Sequence, residues 1–113
     1  YDIAAPGEIA FSQGLLGPGG TFLYSPSGYT FFDSLAVDGA GNICVATIGQ
    51  SGISVVSPEG ELVEFVATDD PFTTNICFGG PDLKTAYITL SGTGRLVKMD
   101  WPRGGAKLHY LNA

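Results

Sequence analysis

Two stretches of the sequence are imperfect copies of each other, offset by 41 residues at their start and 42 at their end. The first runs from Asp33 to Val56 and the second from Thr74 to Lys98. Both consist of short apolar segments separated by glycine. A period in the low forties with this composition is typical of four-stranded propeller blades. We therefore interpret each copy as one blade of a β-propeller.

The rest of the sequence also favours an all-β chain, because β-branched and aromatic runs bounded by Gly, Pro, Asn and Asp recur throughout. We predict one blade at residues 33–67 and another at 74–111. Residues 1–32 are interpreted as the outer edge of a preceding blade and a connecting loop, since residues 6–11 resemble residues 59–65. The predicted strands are Ser34–Val37, Ile43–Ile48, Ile53–Val56, Glu61–Val66, Asn75–Phe78, Ala86–Leu90, Arg95–Lys98 and Lys107–Leu111.

A closed propeller needs at least about four blades, whereas the 113 residues hold about two and a half by the period of the repeat. Two explanations stay open: the chain is the C-terminal part of a longer propeller, or it completes a ring with copies of itself. The sequence opens on Tyr1 without an initiator methionine, which favours the first. The uncovered blade faces predict self-association of the isolated piece.

Eleven acidic residues accompany five basic ones, and all five basic residues lie after position 83. Nucleic-acid binding needs clustered lysine and arginine, so we predict no nucleic-acid partner. No apolar run approaches the length of a membrane span, so we also predict no membrane partner. Cys44 and Cys77 lack CxxC spacing and a nearby histidine, and are predicted to be buried free thiols. Free thiols favour a reducing, cytoplasmic setting.

Asp33 is the main candidate for chemistry. It follows two aromatic residues and precedes an apolar inner strand, so we predict that its carboxylate lies near the mouth of the central channel. Its counterpart in the second copy is Thr74, which cannot act as a carboxylate does. A position where one blade breaks the repeat with an ionisable group is a candidate functional site.

Three other polar residues have more ordinary interpretations. Asp38 lies beside Gly39, in a position where aspartate commonly forms turns. Asn75 either offers a carbonyl oxygen to the channel or caps the inner strand. His109, the single histidine, falls in an alternating segment and is predicted to face solvent without a catalytic part.

The connection at residues 13–32 is rich in glycine, proline and aromatic residues. It is interpreted either as part of a pocket wall or lid at the channel mouth, or as a long connection whose aromatic residues pack between blades.

Two ordered motifs resemble the SMP-30/gluconolactonase family. Residues 32–46 are similar to the family pattern P-D-G-x-A-x-D-x-x-G-N followed by an apolar strand. Residues 74–89 are similar to its pattern T-N-x-x-F-G-G-x-D followed by a Y-hydrophobic-T strand. The similarity covers residues 30–99. In two departures, Phe32 replaces the family's proline and Ser34 replaces its glycine.

This resemblance implies a six-bladed propeller that holds one divalent metal ion, calcium or zinc, in a pocket at the channel mouth. Asp33 matches the family's metal-binding aspartate, which is also its proposed general acid/base. Ser34 is implied as a second metal ligand by similarity to calcium-dependent lactonases. The family's other ligands, a glutamate and an asparagine, would lie outside this chain.

The implied function is metal-dependent hydrolysis of a small-molecule substrate, a sugar lactone or related small ester. The 113-residue piece alone would then be inactive. Two alternatives stay open: a ligand-binding or scaffold propeller without catalysis, and a relative of the strictosidine-synthase-like propellers with different chemistry.

Overall fold

The computed structural model describes residues 1–14 and 17–111 and contains eleven β-strands within those ranges. The predicted all-β class is confirmed. The strands are β1 (Asp2–Ala5), β2 (Glu8–Ala10), β3 (Ser12–Gly14), β4 (Gly17–Gly19), β5 (Phe31–Val37), β6 (Ile43–Ile48), β7 (Gly52–Val56), β8 (Leu62–Ala67), β9 (Thr73–Gly79), β10 (Thr85–Leu90) and β11 (Arg95–Asp100).

Two antiparallel sheets correspond to the two copies of the repeat. The first blade has four strands in the order β5-β6-β7-β8, and the second has three in the order β9-β10-β11. The pairs β1–β2 and β3–β4 form separate hairpins. The hairpin β3–β4 begins at Ser12 and occupies the first part of the connection at residues 13–32, for which the sequence predicted no strand. Residues 15 and 16 of that connection lie outside the described residues.

The core forms where one blade packs on the other. The first blade contributes a face of small and branched side chains from β6 and β7, and the second contributes larger ones from β9, β10 and the residue after β11. Alternation along each strand places these side chains on one face. The buried members are Cys44, Ala46, Ile53, Val55, Ile76, Ala86, Ile88, Leu90 and Trp101.

The opposite face of the first blade is covered by the segment that precedes β5. Leu23 and Tyr24 line a small cavity together with Ile43, Val45 and Val56 of that face. Deeper in the same blade, the hydroxyls of Thr47 and Ser54 are buried and 2.7 Å apart, so each satisfies the other. Because β6 and β7 are covered on both sides, nearly all of their residues are buried.

The predicted strand Lys107–Leu111 is wrong, because these residues form no strand and the second blade has no fourth strand among the described residues. After β11 the chain crosses to the first blade, where the amide of Ala106 donates to the carbonyl of Val37 at 2.9 Å. Gly105 lies so close to Phe78 that a Cβ atom there would collide with its ring. This crossing directs residues 107–111 away from the open edge of β11.

Arg103 anchors this crossing to the first blade. Its guanidinium donates from Nε to Asp38 at 2.6 Å and from Nη2 to Glu64 at 2.5 Å. Asp38 is buried and also accepts hydrogen bonds from the amides of Ala40 and Asn42. Burial acts to raise the pKa of Asp38, but the hydrogen bonds from Asn42, Arg103 and Ala40 outweigh it and hold the pKa below its usual value. The turn-forming interpretation of Asp38 agrees with this geometry.

Cysteine placement differs from the prediction at one position. Both cysteines are free, and Cys44 is buried in the core, where burial raises the pKa of its thiol to about 12. Cys77 is exposed instead, because alternation along β9 places it on the face opposite to its neighbours Ile76 and Phe78, which pack on the core. His109 is exposed as predicted, although in a turn. In the described ranges no helix has the length and apolar character needed to cross a membrane.

We expect the isolated 113-residue chain to associate in solution. The outward face of the second blade exposes Tyr87 and Leu96, and β11 pairs with β10 on one side only within the described sheet. An open strand edge beside exposed apolar side chains favours association. Sedimentation velocity over a hundredfold range of concentration would show this as a rising average mass. A constant monomeric mass would contradict the expectation.

Replacing Arg103 should lower stability more than replacing Arg95. We expect Arg103→Met to cost about 2 kcal/mol, because it leaves the buried carboxylate of Asp38 without its cation. Arg95→Met is the matched control, since Arg95 pairs with Asp69 at an exposed site, where ion pairs contribute little to stability. Urea unfolding followed by far-UV circular dichroism measures both. Equal losses would contradict the anchoring role of Arg103.

Candidate functional site

The inner strand of the first blade carries a β-bulge at Asp33 and Ser34. Phe32 pairs with Thr47 and Leu35 pairs with Val45, so two residues of β5 lie opposite the single residue Ala46 of β6. A bulge bends the strand and redirects its side chains, and bulges are frequent next to active sites. The sequence placed Asp33 just before the strand; the structure places it inside β5, on this bulge.

The second blade has the same irregularity at the equivalent position. Thr73 pairs with Leu90 and Asn75 pairs with Thr89, which leaves Thr74 as the additional residue of β9. Asp33 and Thr74 therefore occupy corresponding bulges in adjacent inner strands. Since β5 and β9 lie against each other and begin at the same end of their blades, both bulges lie at one end of the channel. The two blades therefore share this bulge but carry different side chains on it, a carboxylate in the first blade and a hydroxyl in the second.

Asp33 is exposed at the rim of a cavity of about 140 Å³. Leu23, Tyr24 and Phe32 also line this cavity, and the rings of Tyr24 and Phe32 have their centroids 6.2 Å apart. The segment before β5 therefore brings aromatic surface next to the carboxylate. Within the described residues no side chain or amide donates a hydrogen bond to the Asp33 carboxylate, which leaves its oxygens available to a ligand or to water.

A larger cavity of about 480 Å³ lies between the two inner strands. It is lined by Leu35, Ala36 and Val37 of β5 and by residues 75–78 of β9, and closed below by residues of the crossing segment, including Ala106 and Leu108. The first lining residues of each strand follow directly after its bulge. The lining of this cavity is therefore mainly apolar, and the bulges that carry Asp33 and Thr74 immediately precede its lining residues along the two strands.

The bulge of the second blade is surrounded by hydroxyl groups. Thr74 Oγ1 lies 2.9 Å from Thr89 Oγ1 and 2.7 Å from Ser91 Oγ. The side chain of the neighbouring Asn75 accepts a hydrogen bond from the amide of Ile76 at 2.8 Å. Asn75 therefore caps the inner strand, which is one of the two roles that its sequence position suggested. Thr74, Thr89 and Ser91 are named the hydroxyl cluster below.

A buried carboxylate, Asp70, organises the loops at this end. Oδ1 accepts from the amides of Phe72 at 2.8 Å and Gly92 at 3.2 Å, and Oδ2 accepts from the amide and hydroxyl of Thr93, both at 2.7 Å. Burial acts to raise the pKa of Asp70, but these hydrogen bonds outweigh it and hold the pKa below its usual value. Asp70 thereby joins the loop between the blades to the hairpin that carries Ser91.

The described residues supply only part of a metal site. Among residues 1–14 and 17–111, no three His, Cys, Asp or Glu side chains are grouped so that they could hold a metal ion. Asp33 and Ser34 offer one carboxylate and one hydroxyl from adjacent positions of an exposed bulge. Hard oxygen donors of this kind suit calcium or magnesium, whereas zinc in proteins more often has nitrogen or sulfur ligands. The chemistry of the donors fits such a cation, and further ligands would have to come from outside these residues.

Sequence reasoning identified Asp33 and Ser34 but missed Asp70 and the hydroxyl cluster. Asp70 follows Asp69 in a loop, where acidic residues are usually exposed, so its burial depends on the approach of the β10–β11 hairpin. Thr74 was noted only as the residue that lacks a carboxylate. Its hydroxyl partners on β10 and in the following turn are 15 and 17 residues away.

Fold and site together define the class: adjacent blades of a β-propeller whose inner strands present polar bulges at one end of the channel. The model of the SMP-30/Gluconolactonase/LRE-like region matches residues 8–92. The chain belongs to this family.

Relatives support the assignment over part of their length. The chain is 33% identical over 75 residues to a 6-deoxy-6-sulfogluconolactonase of Pseudomonas putida, a match that covers 65% of this chain and 26% of the relative. It is 31% identical over 72 residues to a regucalcin of Xenopus laevis, with coverage of 63% and 23%. The chain thus spans about a quarter of the length of these relatives.

A solved structure shows the same fold. The crystal structure of a protein assigned as a gluconolactonase matches with a TM-score of 0.67 and 27% identity. The match covers 81% of this chain and 29% of the other. The propeller class predicted from the period of the repeat is confirmed.

Removing the charge of Asp70 should loosen the loops at this end of the blades. We expect Asp70→Asn to speed hydrogen exchange at the amides of Gly92 and Thr93 by more than tenfold, because a neutral amide accepts these hydrogen bonds more weakly. Asp69→Asn is the control, since Asp69 is exposed and contacts Arg95. Unchanged exchange in Asp70→Asn would contradict the proposed organisation.

The same carboxylate predicts a pH dependence. The pKa of Asp70 is lowered in the folded chain, so its contribution to stability is fully present above the unfolded value of about 3.9 and is lost as the pH falls through the lower folded value. Thermal melts between pH 6 and pH 2 should show the wild type and Asp70→Asn converging at the acid end. A constant difference in melting temperature would contradict this.

Proposed function

We propose that this chain forms part of a lactonase that hydrolyses sugar lactones or related small cyclic esters. The observation that carries the proposal is the position of Asp33, an exposed carboxylate on a repeated bulge at the channel end, in a chain of this family. The names of two matched proteins, a sulfogluconolactonase and an assigned gluconolactonase, support a lactone as the substrate class.

Asp33 acts as the general base in this proposal. Its carboxylate takes a proton from a water molecule as the water oxygen bonds to the lactone carbonyl carbon. The bond between that carbon and the ring oxygen then breaks, and the ring oxygen receives the proton from Asp33 and leaves as a hydroxyl group. Lactone and water are thereby converted to one open-chain hydroxy acid, and Asp33 is regenerated as a carboxylate.

The surroundings of Asp33 support this role. Exposure at the rim of a cavity gives water access to the carboxylate, and the aromatic rings of Tyr24 and Phe32 offer an apolar surface against which a ring could lie. The bulge fixes Asp33 and Ser34 side by side, so that both oxygens can approach one ligand.

Asp33 and Ser34 would also contribute oxygen ligands to a divalent metal ion, for which calcium is the better match to the donors present. A bound cation supplies polarisation of the lactone carbonyl and stabilises negative charge on its oxygen. The remaining ligands would come from parts of a propeller outside these residues, so we propose that the 113 residues alone do not turn over substrate.

Replacing Asp33 tests the proposal directly. In the complete propeller that contains these residues, we expect Asp33→Asn to lower kcat for gluconolactone opening by about a hundredfold or more, the usual loss when a general base is removed. Asp82→Asn is the matched control, because Asp82 is also exposed but lies in the β9–β10 turn at the opposite end of the blade. Proton release in weakly buffered solution measures the rate.

Metal removal provides a second arm of the same test. EDTA should abolish the activity, and calcium, zinc or manganese should restore it. If the complete protein shows no lactonase activity with any of these metals, the hydrolase proposal is wrong and a ligand-binding propeller becomes the better explanation. If Asp33→Asn and Asp82→Asn behave alike, Asp33 is not the base.

A further inference from the structure

We propose that the hydroxyl cluster of Thr74, Thr89 and Ser91 is a binding site for the hydroxyl groups of a polyhydroxylated ligand. This inference rests on the proposed function, since it names the part of the second blade that would hold the sugar portion of the lactone. It assigns a role to the blade that lacks a carboxylate.

The cluster has unused hydrogen-bonding capacity. Thr74 Oγ1 is shared between Thr89 Oγ1 at 2.9 Å and Ser91 Oγ at 2.7 Å. Thr74 Oγ1 also donates to the carbonyl of Thr89 at 3.5 Å. Three hydroxyls carry three donors and about six acceptor sites, and these three contacts use all three donors and two of the acceptor sites. About four acceptor sites are left for the hydroxyl groups of a ligand to donate to. Hydroxyl groups of a sugar both donate and accept, and hydroxyls linked in a chain strengthen one another's hydrogen bonds.

The cluster is open to solvent at the channel end. Ser91 is exposed, and Thr74 and Thr89 are half-buried. Thr74 lies on the bulge equivalent to that of Asp33, and the neighbouring Asn75 lines the cavity between the inner strands. A ligand that reaches into this end of the cavity would meet the carboxylate of one blade and the hydroxyls of the next.

The bulge itself does not require these hydroxyls. Judged by strand pairing, the positions of the first blade that correspond to Thr89 and Ser91 are Ala46 and Ile48, and β5 forms the same bulge without hydroxyl groups there. A structural role alone would predict hydroxyls in both blades. Hydroxyl groups occupy these positions in the second blade and not in the first, and this difference points to a ligand.

Neighbouring contacts hold the cluster in place. The amide of Ser91 donates to the carbonyl of Phe72 at 2.8 Å, and Asp70 fixes Gly92 and Thr93 immediately after it. A Cβ atom at Gly92 would collide with the Asp70 carboxylate, so this close approach requires glycine. Hydroxyls that are already positioned lose little conformational freedom when a ligand binds.

The test compares two lactones with the same ring in the complete propeller. For gluconolactone, which carries hydroxyl groups, we expect Thr74→Val to raise KM about tenfold, because one or two hydrogen bonds to the ligand are lost. We expect little change in kcat. For δ-valerolactone, which has the ring without hydroxyls, KM should not change. Thr74→Ser should restore KM for gluconolactone to within about threefold of the wild type. Thr85→Val, at the opposite end of β10, is the control and should leave KM unchanged for both lactones.

The outcomes separate this inference from the proposed function. If the wild type hydrolyses gluconolactone but Thr74→Val affects both lactones equally, the cluster has only a structural role and the inference is wrong. If the wild type hydrolyses neither lactone, the proposed function is wrong. Calorimetric titration with gluconate then decides the inference alone: binding weakened by Thr74→Val supports it, and equal binding or none overturns it.

Discussion

Small side chains on one face of the first blade allow the second blade to pack directly against it. Cys44 and Ala46 provide the close approach, and the larger side chains of Ile88 and Trp101 fill the space between the sheets. Burial of apolar surface is the main favourable contribution to the free energy of folding. Because the contact fixes β5 beside β9, it also fixes which end of one inner strand lies next to which end of the other. The cavity and the two adjacent bulges depend on that arrangement.

The repeat predicted much of this architecture. The strands in both copies lie within a few residues of their predicted positions, because alternation, β-branched residues and glycine-rich turns are local signals. Asp33 was identified because it breaks the repeat. The bulge on which it lies could not be predicted, since a bulge depends on the register between two strands and not on the residues of one.

The errors arise where distant contacts decide the structure. Residues 107–111 alternate like a strand, but Gly104, Gly105 and Ala106 pair with loops and strands far away in sequence, and this directs the chain elsewhere. Cys77 resembles Cys44 in its local apolar setting, yet only Cys44 lies on the face between the blades. Asp70 is buried by residues that follow it by about two strands. Local sequence patterns do not reveal contacts between residues that are far apart in the sequence.

Each end of the blade pair contains one buried aspartate, and the two have different partners. Asp38 balances its charge with Arg103, whereas Asp70 is held by backbone amides and one hydroxyl, and no cation in the described part of the chain is among its hydrogen-bond partners. The end with the arginine joins residues distant in sequence. The end with the amides orders the turn that carries Ser91 of the hydroxyl cluster.

The crossing after β11 also changes how the two blades come apart. Blades are joined by the chain between β8 and β9 at one end, and residues 104–106 join them again at the other. In linear repeat proteins a terminal unit can often open while its neighbour stays folded. Here separation of the second blade requires breaking the hydrogen bonds of Gly104 and Ala106 with Gly39 and Val37 of the first blade. We therefore expect the two blades to unfold as one cooperative unit, although the sequence contains two copies of the repeat.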